Sequence, residues 1–421
     1  MLWLSPVKWA FSVLQGVFYG WKIVAALFVI MAFSSGLGFY NHSILLQALA
    51  SDSQFSVEQA SFAVSVFFIV SGLAGLLMAP LLDRIDIRWI MISGTLLAAL
   101  GLQRMGSVQT VLELYLVYML FGFGFSATSL LPTTTLLARW FVVHRARALS
   151  IASTGLSVGG ILITPASAVL IQEVGLAQAS YWLAGLYLIG VIPISIWILR
   201  PSPASMQLMP DGANWTGNQP ATDGVGFQTA IRDVFFWGLN LTYIFVMVAQ
   251  VGGISHQYGL IAERLPVHIA PVAIAIMPAF SIFGRLAGGF VLQYFPTLMF
   301  TLSMMLVQAI ALLVLALSYQ IIWIFAALAV LGIAVGNLLM LQPLIVAERY
   351  GTRDYSRLFS WANLFTVVGV AIGPGLLGWL YSLSSSYELP YLLAAGSGFI
   401  AIGLYLGSLY LGKTRLALRA D

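Results

Sequence analysis

Twelve runs of this chain, at about 21–49, 58–82, 89–106, 110–137, 147–171, 178–199, 234–262, 271–294, 298–318, 321–346, 357–382 and 390–411, are apolar over bilayer-crossing lengths. A crossing helix takes ~20 such residues. Lipid forbids open strand edges, because an unpaired backbone group in hydrocarbon costs several kcal/mol, so each run is expected to be an α-helix. Hydrophobic residues make up 60% of the chain and charged ones 8%, which leaves too little polar surface for a water-soluble fold of this size. The fold class that follows is an all-α membrane protein with twelve transmembrane helices.

Lysine and arginine orient it. With the N-terminus inside, 15 of the 18 basic residues fall on the inner side. Arg104 and Arg264 fall outside, and Arg285 lies within a span. The positive-inside rule then puts both termini in the cytoplasm and fits an even number of spans. A multi-pass protein of the cell (inner or plasma) membrane is expected. Residues 1–20 lack a small-residue cleavage site after an apolar core, and read as a retained cytoplasmic or interfacial segment.

One stretch breaks the apolar rhythm. Arg200 to Asp233 is rich in Pro, Gly, Asn and Asp and reads as a linker between two six-helix halves. The expected division is 21–199 for the first bundle, 200–233 for a cytoplasmic linker, 234–412 for the second bundle and 413–421 for a tail. The halves echo one another at nearly one offset: Gly38 to His42 against Gly253 to His256, and Leu73-Ala74-Gly75 against Leu286-Ala287-Gly288. A parallel duplication of six helices would place both matches so.

Composition also excludes chemistry. With no cysteine there is no disulfide, thiol nucleophile or cysteine metal site, and no histidine cluster replaces one. No basic block suggests nucleic acid, and no paired carboxylates lie within the spans, so neither enzyme nor cofactor nor metal is expected. What remains is Arg285, the one formal charge inside a span. A guanidinium at a helix centre costs about 2.5–3.5 kcal/mol on insertion scales, and such residues face a bundle interior or a wet cavity. Its structural alternative is a guanidinium bonded to carbonyls, with Gly284, Gly288 and Gly289 nearby to bare them. His256, after Gly252-Gly253, offers a group that titrates near neutrality. His42, beside Tyr40 and Asn41, is its counterpart in the repeat. Gly155 to Gly160 suits close helix packing better than a phosphate loop, since no lysine follows.

Several motifs carry a resemblance. Leu82-Asp83-Arg84-Ile85-Asp86-Ile87-Arg88, between the second and third runs, resembles the loop signature of the major facilitator superfamily. Asp83, Arg84 and Arg88 would then belong to a latch between helix ends, although Ala79 stands where a glycine is usual. An ordered set is similar to the monocarboxylate and oxalate/formate branch of that family: Tyr19-Gly20-Trp21, Arg139-Trp140-Phe141, Pro210-Asp211-Gly212, His256, Gly284-Arg285 and Glu348-Arg349-Tyr350-Gly351. The resemblance implies two pseudo-symmetric bundles with a central site and alternating access, in which Arg285 meets a substrate carboxylate. His256 would lie near it, and Tyr40, His42, Tyr118 and Asn337 would line the path. Ser281 stands one turn before Arg285 where animal monocarboxylate carriers have an aspartate. The eleventh run lacks the lysine of the oxalate/formate exchanger.

The expectation is therefore a secondary transporter, symporter or antiporter, for a small monocarboxylate, with a proton as candidate co-substrate and the lipid bilayer as its surroundings. It is expected to be a monomer. The alternatives are an efflux transporter for a larger amphiphile and a transporter-like receptor.

Overall fold

The computed structural model describes residues 18–51, 55–211, 224–351 and 353–417. Most of the expected N-terminal segment, part of the linker and the last four residues lie outside the described residues. Every named element is helical. The first span is α1 (Tyr19–Ser34), a π-helix (Ser35–Phe39) and α2 (His42–Ser51). Next come α3 (Val57–Arg84) and α4 (Ile87–Arg104). The fourth span is α5 (Val111–Ser126) and α6 (Leu130–Trp140), and α7 (Arg145–Trp197) follows. A single turn, α8 (Phe227–Ala230), leads to α9 (Val234–Arg264), α10 (Ala270–Val291) and α11 (Thr297–Leu317). The last three are α12 (Ile321–Tyr350), α13 (Tyr355–Ser384) and α14 (Glu388–Ala417).

Ten helical stretches among the described residues are long and apolar enough to cross a membrane. One of them spans 51 residues, and inside it Gly175 takes φ 76°, ψ 162°, a conformation open to glycine, so α7 folds back into two crossings. The sequence reading placed a connection there without foreseeing that one residue makes it. α4 is 18 residues long with arginine near each end, and lies along α5 with Gly94 against Ala127 and Gly101 against Phe121. Counting it brings the crossings to twelve. The first and fourth spans are interrupted, at Ser35 to Asn41 and at Ala127 to Ser129, which hydropathy alone does not reveal.

Small residues set how closely the helices approach, because in lipid packing replaces the hydrophobic drive between helices. A Cβ on Gly155 or Gly159 of α7 would collide with the carbonyls of Phe28 and Ala32 in α1. In the second half, a Cβ on Gly369 or Gly373 of α13 would meet the carbonyls of Ile244 and Val248 in α9. The same interface is thus built twice, once in each six-helix bundle. The bundles meet along α3 and α13, along the first half of α7 and α10, and where α2 packs on α9.

Candidate functional site

Arg285 sits six residues before the end of α10, about 9 Å along the helix at 1.5 Å per residue. It is partly buried. Its Nε donates to the carbonyl of Gly336 in α12 at 3.3 Å, and its Nη1 to the carbonyl of Ser153 in α7, across the bundle interface, at 3.2 Å. Two of its five N–H donors are so engaged. No carboxylate pairs with it among the described residues.

A hydroxyl cluster lies one turn away. Ser281 Oγ and Ser157 Oγ share a hydrogen bond of 2.7 Å between the bundles, and Ser281 also donates to the Pro278 carbonyl at 2.8 Å. Tyr40, at the end of the π-helix, faces Ser157, Ser281 and the Arg285 guanidinium. Gly160 makes room for this: a Cβ there would press on Tyr40 and Pro278. The site is thus a guanidinium with spare donors beside three hydroxyls, contributed by α7, α10 and the break in the first span. Such a set matches one carboxylate plus a neutral polar group.

The other residues singled out from the sequence are distributed around it. Asn337 donates to the carbonyls of Gly284 at 2.8 Å and Ile333 at 2.9 Å, and its side chain fills the space over Gly288. It therefore fixes α10 against α12 on both sides of Arg285. His256 Nε2 is 3.0 Å from the Pro374 carbonyl of α13, its Nδ1 is buried without a partner, and no contact joins it to Arg285. His42 is buried in the first bundle among Phe67, Phe68, Tyr118 and Phe121, with Phe67 4.2 Å away between ring centroids. Both its ring nitrogens and the Tyr118 hydroxyl are unpartnered, as is the side chain of Asn41.

At the loop signature, the side chain of Asp83 lies outside the described residues, and Arg84 is exposed. Asp86 caps α4 by accepting from the Arg88 N–H and pairs with the Arg88 guanidinium at 2.6 Å. Burial works against the Asp86 charge, but those bonds hold its carboxyl below the usual range. Arg139 reaches the Leu82 carbonyl at 2.6 Å, so α6 is tied to the end of α3.

Sequence reasoning missed Ser153, Ser157 and Gly336. Ser157 lies in a run of small residues that signals packing alone, and a carbonyl acceptor leaves no mark on residue type.

At the end of the molecule opposite the α6–α7 loop, a side-chain hydrogen bond joins the two bundles. Gln172 of α7 donates to the Tyr258 hydroxyl of α9 at 2.7 Å, beside a cleft of about 210 Å³ lined by Ile44, Gln47, Ala168 and Ile171 among others. A cleft of about 430 Å³ lined by Leu77, Met78, Leu81, Arg84 and Phe123 lies away from Arg285, and is mostly apolar.

Comparison with known proteins adds the lineage. Residues 28–343 match the sequence profile described as Major Facilitator Superfamily. The chain is 22% identical to the MFS-type transporter YcxA of Bacillus subtilis (strain 168), over 79% of this chain and 81% of that protein. It is 24% identical to monocarboxylate transporter 3 of Rattus norvegicus, over 92% and 79%. Among solved structures, the nucleoside transporter NupG superposes with a TM-score of 0.73 at 13% identity, covering 92% of this chain and 99% of that one. At that identity the match speaks to the fold alone.

Proposed function

The chain belongs to the Major Facilitator Superfamily, and on that footing we propose that it is a secondary transporter that moves a small monocarboxylate by alternating access. The observation that carries this reading is Arg285: a membrane-embedded guanidinium between the bundles, held by two neutral carbonyls and free of any carboxylate among the described residues. An unneutralised charge in a low-dielectric interior is costly, and a ligand carboxylate removes that cost while forming charge-assisted bonds. The loaded site is then neutral, so the bundles can rock without moving net charge through the core.

Tyr40, Ser157 and Ser281 supply the polar contacts beside the carboxylate, and Asn337 holds the helix that carries the arginine. His256, buried with one unpartnered ring nitrogen, offers a site for a proton, so proton coupling is assigned to it or to the substrate. His42 and Tyr118, expected on the path, are instead buried together in the aromatic core of the first bundle and are given no substrate contact in this reading. The distribution of basic residues supports cytoplasmic termini in a cell membrane, a linker at 200–233 and bundles at 21–199 and 234–412. The similarity to monocarboxylate transporter 3 supports the substrate class.

The test is counterflow in proteoliposomes. Trapped lactate, pyruvate or formate should drive accumulation of its labelled counterpart. Accumulation of a cationic dye with none of the acids would replace this reading by efflux of an amphiphile, and binding without flux by a receptor.

A further inference from the structure

The segment joining the sixth and seventh spans is anchored at both of its described ends, and both anchors fall at the start of a helix that packs against the other bundle. At the first, the Asp211 carboxylate accepts from the N–H of Val142, from the N–H of His144 at 2.7 Å and from His144 Nδ1 at 2.8 Å. Its own N–H donates to the Trp140 carbonyl at 3.2 Å, and Phe141 and Asp211 form an isolated bridge. α7 begins at Arg145, and its N-cap, His144, makes no capping bond of its own. Asp211, from a distant part of the chain, instead takes up the N–H of the N-cap residue itself and of Val142 two residues before it. At the second anchor, the Phe227 N–H donates to the carboxylate of Asp354 at 2.7 Å, and Asp354 is the N-cap of α13. Val225 N–H meets the Tyr350 carbonyl at 2.9 Å beside a bridge of Gly224 and Gly351.

α7 and α13 are also among the helices through which the bundles touch. α13 receives Ser65 of α3, whose Oγ accepts from the Gly375 N–H at 2.8 Å. α7 presents Ser153 and Ser157 to Arg285 and Ser281. Ser153 lies eight residues beyond Arg145, about 12 Å along one uninterrupted stretch of helix. A helix of that length is stiff, so its register and tilt at Ser153 are fixed by what holds its first turn.

We propose that Asp211 is a positioning residue for the Arg285 site: by holding the N-cap residue of α7 it keeps the Ser153 carbonyl and the Ser157 hydroxyl in register with α10. The connecting segment then acts as more than a tether. The Asp211 carboxylate is 9% exposed although it lies outside the spans, so its charge is desolvated and depends on these three donors. Losing them releases the α6–α7 loop, and the slack reaches the site as a poorer fit around the guanidinium. This inference rests on Arg285 as the carboxylate site, and its test separates the two.

Asp211→Asn in the full chain, reconstituted in proteoliposomes, should raise KM for labelled lactate or pyruvate about tenfold with Vmax within about twofold. Loss of general stability would instead lower Vmax at constant KM. The natural chain has no cysteine, so single-cysteine reporters carry no background. Ser157→Cys should react with a thiol reagent several-fold faster in the Asp211→Asn background, since Ser157 is fully buried. A short bis-maleimide bridge between cysteines at Val143 and Met209, both well exposed, should restore KM in Asp211→Asn. Should Asp211→Asn fail to insert, His144→Ala, which removes one of the three donors, is read in the same way. Unchanged KM with unchanged labelling of residue 157 overturns the proposal. If the wild type carries no carboxylate, the Arg285 reading falls, and the labelling rate alone still decides for or against positioning by Asp211.

Discussion

Replacing Ser281 by aspartate puts a competitor for the substrate inside the site. Ser281 and Arg285 are one helical turn apart, so their Cβ atoms are ~5–6 Å from one another and an aspartate at 281 can reach the guanidinium. At ~5 Å and an effective dielectric of about 20, the attraction is about 3 kcal/mol. A substrate carboxylate would have to displace that pair, which corresponds to a weakening of about 100-fold. Ser157 can donate to the new carboxylate as it now bonds Ser281, so the pair should form without displacing the neighbouring helix. Paired with the guanidinium, the aspartate stays ionised between pH 5 and 8, so the competition is present throughout that range. The assay is initial uptake of labelled lactate or pyruvate into proteoliposomes between pH 5 and 8, for the wild type and Ser281→Asp. KM of the variant should be about 100-fold above wild type at every pH in this range. A variant with wild-type KM at pH 8 would refute the reasoning, because a neighbouring anion could not be ignored by a guanidinium that binds the substrate.

Gly288→Ala drives a methyl into Asn337 and breaks its bonds to Gly284 and Ile333, so the melting temperature in detergent should fall, with a cost of about 2–4 kcal/mol from overpacking and lost hydrogen bonds. Oxalate and succinate should compete weakly for uptake at pH 7 and better on acidification, since Arg285 is the single cation at the site; strong competition by oxalate at pH 8 would count against this. The Asp211 carboxyl is opposed by burial, yet the N–H groups of Val142 and His144 and the His144 ring hold it below the usual range. Its folded pKa is depressed, so its stabilisation is complete above the ordinary carboxylate value of ~3.9 and is lost as pH falls through the lower folded value. Amide exchange at Val142 and His144 should therefore stay slow at pH 5 and accelerate only in more acidic medium, while Asp211→Asn should show fast exchange at every pH. Equal protection in the two proteins would remove Asp211 as the anchor.

The count of spans was legible because bilayer length and backbone satisfaction leave a hydrophobic run few alternatives. Gly155 and Gly159 were legible too, as small residues in lipid have a packing meaning. What sequence could not carry were short breaks, such as the single Gly175 in α7 and the five-residue π-helix at Ser35–Phe39, since neither changes hydropathy. At the site, Arg285 stood out through the cost of a charge in a span, whereas its carbonyl partners on Ser153 and Gly336 are invisible to any reading of side chains. Asn337 was expected on the path from the resemblance, yet its amide is used on the backbone of Gly284 and Ile333. Asp211 was visible as part of Pro210-Asp211-Gly212, but its partners lie 67 and 69 residues away in the chain.

The most direct test of the central claim is uptake of labelled monocarboxylate by Arg285→Lys beside the wild type, at equal amounts of inserted and monodisperse protein. Lysine keeps the charge but loses the planar fork that can hold two carbonyls and a carboxylate together. The account predicts loss of at least about 100-fold in Vmax/KM, corresponding to one charge-assisted bidentate contact of about 3 kcal/mol. Uptake by Arg285→Lys at the wild-type rate and KM would contradict it.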